Sequence, residues 1–316
     1  MEPYDDRPEK NQASAMINDI RRLMKENNIS SIDEANVFLG EYKKQQNERQ
    51  IDDFQGLSST HMFRFLNFPF ESPQYVKFAD VPPEECLTAP IMRLFAMLVK
   101  AIGEKGLKPT ETGNLPRNLV REIALEYWDE ENYKEQTHFG EYRTEPEFMD
   151  LHKTRVIAEL AGLIRKYKGK FILSRACRTM IANEGFTGVY SALFQTFATN
   201  YNWGYLDRYY NFDIIQRSFL FTAYLLHKFG DEWRDSSFYF DAFIKAFPQT
   251  LDEASHVTYG TPESTVSNAY ILRAFHRGAK FMGLVEMREL KDSHIFRYEI
   301  IKTPLLDRYI SFHIQI

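Results

Sequence analysis

The sequence predicts a mainly α protein, with two winged-helix-like units, helices plus short β-hairpin wings, around an aromatic-rich helical core. Three observations predict it. Apolar residues recur at three- and four-residue spacing along most of the 316 residues, which is the period of an amphipathic helix. A helix that runs into Gly-Leu-Ile/Val and then into strand–turn–strand occurs twice. The first copy passes through Ala161, Gly162, Leu163 and Ile164, turns at Lys168-Gly169 and returns over 170–174; the second passes through Met282, Gly283, Leu284 and Val285, turns over 289–293 and returns over 295–300. Finally, 15% of the chain is aromatic, with 26 Phe and 18 Tyr, and residues 186–247 are dense in them.

Residues 1–50 read as a helical arm. Met16, Ile17, Ile20, Leu23 and Met24 give helical spacing, closed by Asn27-Asn28. Ser31-Ile32-Asp33-Glu34 then has the form of a capping box. Residues 51–88 form a connector. A short capped helix over 57–66 is followed by Pro69, Pro73, Pro82 and Pro83, which forbid long helices and leave an extended strap. The first winged unit spans 89–182. It opens with a helix over 90–103 and a short strand near 107–110. A helix from Pro116 and an acidic stretch to Glu147, a long loop or an irregular helix, come next. A third helix over 149–161, with Leu151, Val156, Ile157 and Leu160 inward, leads to the wing. Residues 183–316 hold the aromatic core and the second unit. Helices are expected over 186–201, from Phe212 to Gly230, and over 238–247 before Pro248. Thr261 caps the last long helix, with Pro262 in its first turn. The second wing and a closing helix over 305–312 finish the chain. The two Gly-Leu turns stand about 120 residues apart, and no repeat joins them in the intervening sequence.

The net charge of −5 argues against a nonspecific coat on DNA, which needs excess cations. The charge is unevenly spread, however. Ten acids fall in 121–150 against three bases, and eight bases fall in 151–180 against Glu159 alone. Two cysteines, Cys86 and Cys177, cannot build a disulfide framework. With an acidic N-terminus that is no signal peptide, they indicate a reducing cytoplasm. No apolar run approaches the roughly 20 residues of a membrane span.

The candidate nucleic-acid contacts are His152, Lys153 and Arg155 on the third helix, with Arg165, Lys166, Lys168 and Lys170 on the wing. Wing bases reach phosphates, and exposed residues of a third helix read base edges. Against this, lysines on hairpins also block edge pairing, and the ten nearby acids could neutralise the patch. The second unit is less basic; Thr265, Ser267 and Asn268 read as caps and surface. The eight histidines show no i, i+4 pair, and there is no CxxC, GxGxxG or GxxxxGK[ST]. No catalytic, metal or cofactor residue is assigned. The run 200–210 carries Tyr201, Trp203, Tyr205, Tyr209 and Tyr210. These rings either stack bases or bridge a helix corner, and the corner is the simpler expectation.

Several stretches resemble a family of uncharacterised bacterial proteins. They are Phe54-Gln55-Gly56-Leu57-Ser58 with 65–69, Leu-Lys-Pro-Thr-Glu-Thr-Gly-Asn-Leu-Pro-Arg-Asn-Leu-Val-Arg at 107–121, and 202–207 with 297–306. The resemblance implies one intact unit from about residue 30 and no activity. The leading expectation is a non-enzymatic DNA-binding regulator that uses the first wing on duplex DNA. The alternative is an interaction scaffold for a protein partner or a second copy, and a cryptic hydrolase or nuclease comes third. Whether residues 121–150 cover the basic patch decides between them.

Overall fold

The structure, a computed structural model, describes residues 21–22, 24–26, 29, 31–210, 212–255, 260–290 and 297–314. The first expected helix falls largely outside them, as do Lys291 to Phe296 in the second hairpin.

Local capping fixes the first elements. Ser31 Oγ accepts from Glu34 N at 3.1 Å, and Ser31 N donates to Glu34 Oε2 at 3.2 Å, so helix Ile32–Glu48 starts at the expected box. None of its residues is buried. Ser58 and His61 exchange the same pair of bonds at the start of helix Ser59–Asn67. The proline-rich strap crosses the body as expected. Its strand Val76–Phe78 pairs antiparallel with Ile310–Phe312, Val76 opposite Phe312. This overturns the closing helix over 305–312. Only Pro304–Tyr309 is helical. Ile310, β-branched and suited to a strand, passes the chain to the edge that the strap offers.

The two halves share more than the Gly-Leu turn. Helix Pro90–Ile102, a bridge at Leu107, helix Arg117–Gln136, helix Met149–Leu160 and hairpin Ile164–Tyr167/Lys170–Leu173 form the first series. Helix Phe219–Phe229, strand Arg234–Asp235, helix Ser236–Ala246, the helix from Pro262 and hairpin Val285–Glu289/Tyr298–Lys302 form the second. In both, the short early strand pairs with the return strand of the hairpin. Leu107 and Phe171 exchange backbone bonds of 2.9 and 2.7 Å, and Arg234 pairs with Ile300.

The turns match bond for bond. Gly162 (φ +68°) donates to Glu159 O and Leu163 N to Ala158 O; Gly283 (φ +76°) donates to Lys280 O and Leu284 N to Ala279 O. This is the Schellman pattern, and it needs a left-handed residue where glycine stands. Leu163 O then accepts from Ser174 N, and Leu284 O from Thr303 N, each at 2.9 Å. Ser174 and Thr303 begin the helices Arg175–Glu184 and Pro304–Tyr309. The recurrence therefore extends from a motif to an order of elements. The whole is mainly helical with small antiparallel sheets, compatible with helices carrying hairpin wings.

Of three further details, two depart from expectation. The acidic stretch takes the irregular-helix alternative, helical to Gln136. It breaks only at Asp129 (φ +58°), whose Oδ1 caps the restart by accepting from Glu131 N and Asn132 N. The helix expected from Phe212 to Gly230 divides at Ser218. The last long helix becomes π-helical over Ile271–Ala279, where Lys280 N reaches back five residues to Phe275 O.

Aromatic side chains fill the core. Phe194 and Tyr190 meet Tyr309 with centroids 5.0 and 4.8 Å apart, and Phe243 stacks on Tyr270 at 4.4 Å. Edge and offset contacts of this kind add about 0.5–1.5 kcal/mol each beyond burial.

Candidate nucleic-acid interface

The first hairpin is built by a two-residue turn. Lys168 (φ +47°) and Gly169 (φ +72°) are both left-handed, as the turns that match strand twist require. The register sets Lys166 opposite Phe171 and Tyr167 opposite Lys170. Ile164, Phe171 and Leu173 are buried, while Arg165, Lys166, Tyr167, Lys168 and Lys170 are exposed. Arg165 and Lys168 flank the Tyr167 ring, each 5.4 Å from its centroid, and Lys166 lies 5.2 Å from that of Phe171. Arg175 and Arg178, just beyond the hairpin, are exposed as well.

Among the described residues the neighbouring acids form no ion pair with this patch. Glu126 pairs with Lys100, Glu130 with Lys134, Glu141 with Arg121 and Asp150 with Lys153. Glu147 accepts from Arg143 N at 2.7 Å. Among the described residues, none of Arg165, Lys166, Lys168 and Lys170 has a carboxylate partner; Lys170 Nζ donates to Lys105 O at 3.0 Å.

His152, Lys153 and Arg155 correct the expectation of an exposed reading helix. They are 5%, 2% and 6% exposed, so they cannot reach a base edge in this fold. The cause is Glu145, fully buried on the turn before their helix. Its Oε1 accepts from Arg155 Nε at 2.6 Å and from His152 Nδ1 at 3.0 Å, and its Oε2 accepts from Leu115 N at 2.5 Å. Arg155 also pairs with Glu159, and His152 Nε2 meets the Tyr205 hydroxyl at 3.3 Å. Lys153 Nζ donates to Arg277 O at 3.1 Å, pairs with Asp150 and sits 3.5 Å from the Phe281 ring centroid. With so many polar residues turned inward, Leu160, expected in the core, is 53% exposed.

The electrostatics agree with this internal role. Burial pushes the Glu145 carboxyl upward, but the His152 hydrogen bond, the Arg155 charge and the Leu115 amide together hold it below the usual carboxylate range. For Lys153, burial drives the ammonium below its ordinary value against the pull of Asp150. The space enclosed by Lys153, Arg273, Arg277 and their neighbours is about 10 Å³, room for a water at most. These groups hold elements together and leave no place for a substrate. Burial raises both cysteine thiols to about 11, which disfavours the thiolate that nucleophilic chemistry needs. Among the described residues no cluster of three His, Cys, Asp or Glu could hold a metal ion. Nor, among them, is any helix long and apolar enough to cross a membrane.

The aromatic run divides between its two readings. Tyr201 and Trp203 are buried, and Trp203 Nε1 donates to Phe197 O at 2.9 Å. Tyr205 and Tyr210 face solvent.

A family model described as the Y4jL N-terminal domain matches residues 87–186. That span takes in helix Pro90–Ile102, the first hairpin and helix Arg175–Glu184. The family is uncharacterised, and the match covers less than half of the chain, so it supports a resemblance and brings no activity. No curated protein and no solved structure matches the chain.

Proposed function

We propose that this is a non-enzymatic binding protein whose two halves are winged-helix units and whose first wing contacts the phosphates of duplex DNA. The observation that carries the proposal is the hairpin itself. It projects Arg165, Lys166, Lys168 and Lys170 into solvent without a carboxylate partner among the described residues, although eleven acids precede it within 50 residues of chain. Exposed cations without a carboxylate partner are available to displace the counterions of a polyanion. Because His152, Lys153 and Arg155 are buried, base readout through their helix is not part of the proposal. Phosphate contacts position a protein without specifying sequence, so discrimination between duplexes is expected to be weak.

The test is fluorescence anisotropy of a labelled duplex at low salt, with the wild type and a K166E/K168E/K170E variant. Binding is expected in the wild type and is expected to fall at least tenfold in the variant. An absence of wild-type binding at low salt would sink the proposal. A second reading, an interaction scaffold, draws on helix Ile32–Glu48, which buries no residue and leaves Ile32 and Val37 exposed at 81% and 62%. Loss of a captured partner on replacing Ile32 and Val37 by Ser, with the hairpin lysines dispensable, would favour it.

A further inference from the structure

The loop between helices Thr187–Thr199 and Asp213–Arg217 is held far more firmly than a connector needs. Asp207 has no exposed side-chain surface and binds Arg273 in a two-bond fork, Nε to Oδ2 at 2.6 Å and Nη2 to Oδ1 at 3.1 Å. Arg273 also donates to Tyr210 O, and Arg277 donates to Tyr205 O. Gly204 packs against the Arg273 guanidinium, where a Cβ would lie 3.0 Å from Nη2. On this frame Leu206 (φ +60°) and Arg208 (φ +65°) are both left-handed, a conformation costly for side chains of their size. The result is a rigid edge on which Leu206, Arg208 and Tyr210 are exposed, Tyr210 at 64%, and on which Tyr205 stacks one ring face on His152 and leaves 40% of its surface open.

A cavity of about 190 Å³ opens beside this edge, between the π-helical turn and the second hairpin. Tyr209, Asn268, Leu272, His276 and Tyr298 line it. The side chains of Tyr209, Asn268, His276 and Tyr298 make no hydrogen bond with a described residue, so amide, imidazole and phenol groups stand ready around an aromatic wall. The cavity is smaller than the roughly 300–1,000 Å³ of a drug-sized site and suits one planar heterocycle. Arg208 on the loop and Lys280 after His276 are exposed and form no ion pair with a described residue. Arg208 adjoins the lining residue Tyr209 and Lys280 stands one turn after His276, while Glu289 lies opposite Tyr298 across the hairpin.

We infer that this surface binds single-stranded nucleic acid, with bases stacked on Tyr205 and Tyr210, phosphates along Arg208 and Lys280, and one base seated in the cavity. Aromatic side chains beside unpaired cations are the common means of holding an unpaired strand, because every base has a face to stack. The site is separate from the hairpin proposed for duplex contact.

Anisotropy of a labelled 12-nucleotide thymidine strand tests the inference, with circular dichroism to confirm that each variant is folded. Wild type is expected to bind at low salt. Y205A/Y210A is expected to lose at least tenfold in affinity for the strand and nothing for a duplex. K166E/K168E/K170E is expected to weaken the duplex more than the strand, so failure at one site is distinguishable from failure at the other. The inference is overturned if wild type ignores the strand, or if folded Y205A/Y210A binds it as wild type does. It is also overturned if free thymidine binds as tightly as the strand, which would make the cavity a small-molecule site.

Discussion

Gly162 and Gly283 occupy the same place in the same turn, yet they are not equally replaceable. A Cβ on Gly162 meets nothing within 4 Å, so Gly162→Ala costs only the left-handed conformation, about 1 kcal/mol. A Cβ on Gly283 would lie 2.7 Å from Ala89 Cβ and 2.8 Å from Ala89 Cα. Gly283→Ala therefore adds a steric clash and should cost about 2–5 kcal/mol in total. Urea unfolding of the two variants checks this difference. Glu145 makes a second case. Glu145→Ala leaves Arg155 with Glu159 alone and strips His152 Nδ1 and Leu115 N of their buried acceptor, and should cost about 3 kcal/mol. The folded-state pKa of Glu145 lies below its ordinary, unfolded value. Its stabilisation is thus fully present above the unfolded value and is lost as pH falls through the folded one. Denaturant midpoints measured down an acid series should fall for wild type, and less steeply for Glu145→Ala. The glycines were legible in the sequence because a left-handed position leaves a distinctive residue. Glu145 was not, because nothing in a run of ten acids marks the one that folding buries.

At the scale of elements, what could be read was what is decided locally. The box at Ser31 and the cap at Thr261 form within a few residues and stand where expected. So does the Lys168-Gly169 turn. What could not be read depends on distant partners. Strand Ile310–Phe312 exists because a strap more than 230 residues earlier in the chain offers an edge. Helix Met149–Leu160 turns Lys153 inward because its ammonium finds a carbonyl 124 residues away. The π-helical turn has no residue pattern of its own. The hairpin allows a plain prediction at this scale. Its lysines are exposed and hold no carboxylate, so K166E/K168E/K170E should change stability by no more than about 0.5 kcal/mol. A thermal melt of the variant beside wild type checks that any loss of binding is a loss of charge and not of fold.

Across the whole molecule, the two series of elements are joined by buried contacts. Ile91 N donates to Phe281 O at 3.1 Å and Lys153 Nζ to Arg277 O at 3.1 Å, and Tyr190 Oη, on the helix Thr187–Thr199 between the series, donates to Met282 O at 2.8 Å. Halves locked in this way should unfold together. Trp128 lies in the first series, Trp233 in the second and Trp203 between them. Tryptophan fluorescence and far-ultraviolet circular dichroism should accordingly give coincident urea transitions; two separated transitions would show independent halves. The joining also explains the fate of the third helix. Lys153 on that helix reaches the other half, His152 and Arg155 are held by Glu145 within the first, and the hairpin is what remains outside. As proposed, the hairpin is an electrostatic contact for duplex DNA. The most direct measurement is the slope of log Kobs against log salt concentration for duplex binding by wild type and by K166E/K168E/K170E. Four cations on phosphates predict a wild-type slope of about −3 to −4 for B-form DNA, and a markedly shallower slope in the variant. No binding at low salt, or the same slope in both proteins, would contradict it.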